Sequence, residues 1–188
     1  MKYCCYCRAV LIYEIPADDN RHRYICQSCD TIHYQNPKIV AGCIPVWEDK
    51  ILLCKRAIEP RYGYWTLPAG FMELGETSLE AGIRETLEEA NARVDVEELF
   101  AVFSLPHVGQ VYMMFRSRLI DLNFSPGAES LDVKLFKEAD IPWNELAFTT
   151  IRASLRCYFE DIKQGAFSLH TGDIVKTEAG YDFVPTLI

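Results

Sequence analysis

Three glutamates in one short stretch place the strongest demand on how this chain folds. Glu85, Glu88 and Glu89 stand three and four positions apart, and on a helix such positions share a face. The stretch predicts a helix over Ser78–Asn91, capped by Thr77, with Glu80 three residues on to complete a capping box. Carboxylates crowded onto a single turn repel by roughly 0.2–0.5 kcal/mol per pair. Hard divalent cations reverse that sign, because they take oxygen ligands. Arg84 adds one compensating charge, and Gly70 offers a backbone that a metal or phosphate can approach closely. A solvated acidic face explains a Glu-Glu pair by itself. It does not explain the whole set from Gly70 to Ala92.

Strands and helices alternate around that stretch, over residues 36–165. Ile39–Trp47 and Lys50–Lys55 are apolar and β-branched, and the intervening Glu48-Asp49 makes them a hairpin. Trp65–Leu67 is a short strand ended by Pro68-Ala69-Gly70. Val94–Leu105, Gln110–Ile120 and Leu131–Phe136 are strand-like. Ile151, Leu155, Tyr158 and Phe159 have helical spacing within Thr149–Ile162. Residues 166–188 form a C-terminal tail in which no element is legible.

Residues 1–35 differ in kind. Cys4-x2-Cys7 and Cys26-x2-Cys29 have the spacing of a tetrahedral four-cysteine zinc site. Four protein ligands leave no open position, so such a zinc is structural. His33 and Cys5 are substitutes should one ligand fail. Cys43, Cys54 and Cys157 lie in apolar patterns and read as reduced core thiols. Asn36-Pro37 marks the boundary, since proline forces its predecessor into an extended form.

Composition narrows the chemistry. The 188 residues are 49% hydrophobic, enough for a sizeable core, and the net charge is −8. An acidic chain is a poor non-specific binder of polyanions. Phosphates must then be met by local positive groups or by bound Mg²⁺ or Mn²⁺. Met1-Lys2-Tyr3 runs straight into cysteines, with no charged-then-apolar signal, and no apolar run is long enough to span a bilayer. The expectation is a cytoplasmic protein with no membrane partner.

Gly70, Glu76, Arg84, Glu85, Glu88, Glu89 and Ala92 match the Nudix box, G-x5-E-x7-R-E-U-x-E-E-x-G-U with U apolar. Thr86 stands where an aliphatic is usual, and Asn91 replaces the second glycine. Tyr64–Phe71 also resembles that family's approach to the box. The resemblance implies an α/β/α sandwich with a mixed β-sheet, preceded by a small zinc ribbon. It implies a metal-dependent hydrolase in which Glu85, Glu88, Glu89 and the carbonyl at Gly70 hold Mg²⁺ or Mn²⁺, with Arg84 orienting a ligand. Glu129, in a later loop, resembles a further ligand or general base. Glu73 and Glu76 would act through water or Arg84.

A zinc ribbon joined to a Nudix box is shared with the bacterial NADH pyrophosphatases. Their S-Q-P-W-P-F-P-x-S array is missing, and Ser104–Gln110 stands in its place. The chain is more similar to the plant chloroplast FAD and ADP-ribose pyrophosphatases. The similar segments include Tyr34–Lys38, Leu52–Arg56, Ser125-Pro126-Gly127, Glu129-Ser130-Leu131 and Leu146-Ala147-Phe148. Pro106, fourteen residues past Ala92, is at a place linked with ADP-ribose in that superfamily. The implied reaction is hydrolysis of ADP-ribose or FAD to AMP and the other phosphate half, by a homodimer. The alternatives are an NADH pyrophosphatase, an RNA cap-removing enzyme, or a nucleic-acid-binding regulator. The last fits poorly, because the glutamates are all kept and the chain is acidic. Phe103, His107, Tyr112 and Phe115 are candidates to stack on adenine or flavin, against the alternative of core aromatics. Arg56, with Lys55 and Arg61, could meet phosphates, against the alternative of a solvated basic rim.

Overall fold

The structure is a computed structural model that describes residues 1–178 and 180–186. It divides into two compact units, Met1–Pro37 and Lys38–Ile188. In the first unit, β1 (Ile12–Glu14), β2 (Arg23–Ile25) and β3 (Ile32–His33) form a small antiparallel sheet. One tight turn precedes β1 and a second joins β2 to β3. Arg8 and Asp30 each take a positive φ, and Cys4 and Cys26 donate their amides to the carbonyls of Ala9 and Thr31. The turns bring the Sγ atoms of Cys4, Cys7, Cys26 and Cys29 to within 4.8 Å of one another. Cys4 to Cys29 is 3.7 Å and Cys7 to Cys26 is 3.3 Å. Those separations are too long for a disulfide. They approach the edge of about 3.8 Å set by a tetrahedron with metal–sulfur bonds of about 2.3 Å. Cys5 and His33, the substitutes, are not in this cluster.

The second unit is a mixed sheet with a helix on each face. Its strands are β4 (Lys38–Trp47), β5 (Lys50–Arg56), β6 (Trp65–Thr66), β7 (Ala69–Phe71), β8 (Val94–Leu105), β9 (Gln110–Leu119), β10 (Ser130–Phe136), β11 (His170–Thr177) and β12 (Gly180–Pro185). They run in the order β10-β5-β4-β9-β8-β11-β12, with β6 paired to β5 and β7 to β4. Trp47 faces Lys50 across the two-residue turn at Glu48-Asp49, so the hairpin forms as the alternation predicts. Beyond Val46–Ile51 the strands of the hairpin part company. β4 then pairs with β7 on the same edge, placing Gly70 opposite Ala41.

Helix α1 (Ser78–Ala90) packs on β4 and β7, and α2 (Thr149–Gln164) lies over the other face. Alternation along the strands divides the core. Ile44, Leu53, Phe103 and Met114 pack with Ile151, Leu155 and Phe159 of α2. Cys43, Leu52, Cys54 and Phe115 pack with Ala90 of α1. Thr86, in the usual aliphatic place, is fully buried. Its hydroxyl donates to the Gly82 carbonyl at 2.8 Å, so the Thr86 hydroxyl itself is not left without a partner.

Residues 166–188 differ from the sequence reading. Two strands form there, apart from 179, 187 and 188, which lie outside the described residues. β11 pairs in parallel with β8 from His170↔Ala101 to Asp173↔Ser104, and Phe183 of β12 lies 4.6 Å from Phe103 between ring centroids. Only Gly172 and Ile174 of β11 are buried, which is too thin an apolar pattern to read in advance. Among the described residues, no helix is long and apolar enough to cross a membrane.

Freshly prepared reduced protein should contain about one zinc per chain, the capacity of one four-cysteine site. Cys26→Ser should lower the stability of the first unit before it affects the second. Metal analysis that finds no zinc would remove the assignment.

Candidate functional site

The site begins at the mouth of α1. Thr77 Oγ1 accepts from the Glu80 amide at 3.2 Å and Glu80 accepts from the Thr77 amide at 2.7 Å, so both ends of the capping box are closed. The cap sets where the helix starts. It thereby turns Glu85, Glu88 and Glu89 toward β7 and the loop ahead of β10.

Arg84 binds this group together. Its Nε and Nη2 donate to the two oxygens of Glu76 at 3.0 and 2.8 Å. Its Nη1 donates to Glu85 at 2.7 Å and to Glu88 at 3.1 Å, and Nη2 reaches the Phe71 carbonyl at 3.1 Å. Glu76 is therefore held well below the usual carboxylate range, at about 2, first by Arg84 and then by the Glu73 amide. So Glu76 sits one step back from the cluster, acting through Arg84, and Glu73 contributes its backbone. Where the resemblance implied that Arg84 orients one carboxylate, the guanidinium bonds to three.

Glu85 lies against the backbone of Gly70. Any Cβ at position 70 would collide with the Glu85 carboxylate. A glycine there lets the carboxylate rest directly on the backbone, and a larger residue would push the Glu85 side chain aside. Burial raises the Glu85 pKa, and Arg84 opposes it. Glu89 is more extreme. It is 7% exposed, and its Oε2 has no hydrogen-bond partner among the described residues. Burial, followed by the charge of Glu85, raises it to about 8, with Arg56 opposing and Glu129 adding to the rise. A buried acid with an orphaned oxygen among further carboxylates suits a hard cation, which would supply both the missing partner and the missing charge. Glu88 is more open, with 58% of its side chain exposed.

Glu129 reaches the same place from another direction. It sits just ahead of β10, and its carbonyl accepts from the Ala57 amide at 2.8 Å. Its charge is felt at both Glu85 and Glu89. The structure thus brings Gly70, Arg84, Glu85, Glu88, Glu89 and Glu129 together.

The proposed substrate contacts divide. Arg56 is close enough to act on both Glu89 and Tyr112, and its guanidinium lies over the Phe148 ring at 5.2 Å. Lys55 and Arg61 instead lie over Trp65 and Tyr64. Tyr112 is partly buried on the α2 face near Arg56. His107 is exposed and stacked on Tyr181 at 4.4 Å. Phe103 and Phe115 are corrections. Phe103 is fully buried against Phe183, leaving no face for a ligand ring. Phe115 is 6% exposed and belongs to the α1-side core. Successive strand residues face opposite sides, so Tyr112 and Phe115 never shared a surface.

Sequence reasoning missed what fastens the Glu129 loop. The Ser125 and Gly127 amides donate to the Ala90 and Glu89 carbonyls at 2.9 and 3.0 Å, and Asn91 Nδ2 reaches Ser125 and Pro126. The turn signal Ser125-Pro126-Gly127 was visible in the sequence. That it docks on the end of α1 was not.

Residues 36–156 match the family model for the NUDIX domain, and residues 2–35 match that for the Nudix N-terminal zinc ribbon. An ADP-ribose pyrophosphatase of Methanocaldococcus jannaschii is 33% identical over 121 residues, which is 61% of this chain and 69% of that protein. An NAD-capped RNA hydrolase of Photobacterium profundum is 30% identical over 130 residues, 66% of this chain and 47% of its own length. A crystal structure of a NUDIX hydrolase from Nitrosomonas europaea superposes with a TM-score of 0.90 at 57% identity, covering 93% of this chain and 99% of that one.

Glu89 yields a stability test. Its folded pKa, about 8, lies above its ordinary value, so the folded protein holds a proton that the unfolded chain gives up. In buffer free of Mg²⁺ and Mn²⁺, stability should fall as pH rises from the ordinary carboxylate range through about 8. Glu89→Gln should become progressively more stable than the parent over that window. A difference between the two proteins that does not vary with pH would contradict the buried-acid reading.

Proposed function

The chain belongs to the Nudix family of hydrolases, with that family's zinc-ribbon segment ahead of the domain, and we propose that it cleaves the diphosphate link of ADP-ribose or FAD with Mg²⁺ or Mn²⁺. The observation that carries the reading is the orphaned, buried Glu89 oxygen set among Glu85, Glu129 and the glycine backbone at position 70. Glu85, Glu88, Glu89, Glu129 and the carbonyl at Gly70 would hold the cations. Bound there, divalent ions neutralise charge on the diphosphate and lower the pKa of a water that becomes the nucleophile.

The protein's own groups do the rest. Arg84 holds Glu85 and Glu88 in register, so the ligands need not reorganise during turnover. Arg56 meets a phosphate oxygen. Tyr112 and His107 line the side where the base or flavin rests. A carboxylate of the cluster takes a proton from the water as its oxygen bonds to one phosphorus, the bridging P–O bond breaks, and its electron pair leaves with the other phosphate. The products are AMP and the remaining phosphate half.

The Photobacterium relative supports a second reading, an enzyme acting on NADH or on a nucleotide cap of RNA. Against it stands the stretch Ser104–Gln110, which lacks the array of the NADH enzymes. All of these substrates share the diphosphate, so discrimination must come from the rest of the pocket. Tenfold discrimination needs about 1.4 kcal/mol of differential transition-state binding, within reach of one stacked ring.

Glu88→Gln and Glu89→Gln should each reduce turnover by orders of magnitude with helix content unchanged by circular dichroism. Near-normal activity in either variant would take that residue out of the metal site. In a nucleotide panel with Mg²⁺ and Mn²⁺, kcat/KM for ADP-ribose and FAD should exceed that for NADH. If NADH is preferred by about tenfold or more, the second reading replaces the first.

A further inference from the structure

Asn91 occupies a place that glycine holds in the Nudix box, and the structure shows two separate uses for it. The first is conformational. Asn91 is the C-cap of α1 at φ 47° and ψ 25°, the left-handed region that asparagine tolerates better than most residues. Glycine would serve there equally well. The second use needs the side chain. Asn91 Nδ2 lies 3.2 Å from the Ser125 carbonyl, 3.2 Å from Ser125 Oγ and 3.2 Å from the Pro126 carbonyl. Two of these neighbours are carbonyl oxygens, so only the amide nitrogen can face them. Glycine cannot make this contact.

What the contact holds is the loop that ends in Glu129. The loop lies so close to α1 that a Cβ on Gly127 would overlap the Glu88 carbonyl. The Gly127 amide donates to Glu89, and the Ser130 amide turns back to the Gly127 carbonyl at 3.1 Å. The segment from Ser125 to Ser130 is thus referenced to the carbonyls of the residues whose side chains form the acidic cluster. Asn91 is the one side chain that spans the two parts at this point among the described residues.

We propose that Asn91 is a positioning residue. Its amide fixes the Glu129 loop against the C-terminus of α1 and so holds the Glu129 carboxylate beside Glu85 and Glu89, where a divalent cation is shared. This rests on the reading of Glu129 as a metal ligand. The glycine of the Nudix box has no side chain with which to make this contact.

The test is Mn²⁺ binding to the substrate-free full chain, followed by electron paramagnetic resonance, for the parent, Asn91→Gly, Glu129→Gln and the double variant. Asn91→Gly keeps the left-handed cap, so helix content by circular dichroism should be unchanged. Its Mn²⁺ affinity should fall about fivefold, the equivalent of one net hydrogen bond. In the Glu129→Gln background the same substitution should have no further effect, because the group it positions is already gone. A purely structural role predicts the same loss in both backgrounds, and that outcome overturns the inference. So does an unchanged affinity in Asn91→Gly. If Glu129→Gln alone binds Mn²⁺ like the parent, Glu129 is not a ligand and the inference falls with it. Only that outcome also removes Glu129 from the proposed metal site.

Discussion

A single guanidinium makes the site possible. Without cations, Glu76, Glu85 and Glu88 would repel one another across the mouth of α1. Arg84 reaches all three and the Phe71 carbonyl as well. Its paired bonds to Glu76 also tie the loop ahead of the helix to the helix itself, so the glycine strand β7 is held over the acidic face. Charge-assisted, two-point bonds of this kind give direction as well as attraction. Arg84 makes no bond to Glu89, whose buried Oε2 has no partner among the described residues.

Close backbone approach is the second constraint. Gly70 lets the Glu85 carboxylate rest on β7, and Gly127 lets the Glu129 loop rest on the last turn of α1. The first contact meets α1 at Glu85 and the second at Glu88 and Glu89, so Glu129 is brought from a distant part of the chain to the turn that carries the other carboxylates. The sheet supplies the rigidity behind them. α1 packs on the Cys43–Leu52–Phe115 face while α2 covers the opposite one. The C-terminal strands extend that sheet beyond β8 and bury Phe103 in the process.

Some of this was readable from the chain, for definable reasons. Helix periodicity places Glu85, Glu88 and Glu89 together whatever the rest of the protein does, and the Thr77–Glu80 box specifies where the helix starts. Knuckle spacing likewise pairs the thiols two by two, because each Cys-x2-Cys is a local turn, and the β1–β2–β3 sheet accompanies the meeting of the two pairs. The aromatics obey no such local rule. Phe103, Tyr112 and Phe115 all look alike in sequence. Which of them keeps an open face depends on strand parity and on β12, whose own pattern is too weak to recognise.

The sequence alone determined the chemistry available: a carboxylate helix with one arginine, a glycine ahead of it, and a cysteine framework, each defined by residues no more than 25 positions apart. Tertiary structure decided which groups join that chemistry. Glu129 reaches Glu85 and Glu89 because its loop docks on carbonyls at the end of α1, and Arg56 lies near enough to act on Glu89 and Tyr112 while it packs on Phe148. Phe103 and Phe115 are excluded by burial. The difference is one of range. Side-chain spacing within a helix or turn is set by backbone geometry, whereas the docked loop, open ring faces and desolvated acids exist only once distant segments have packed.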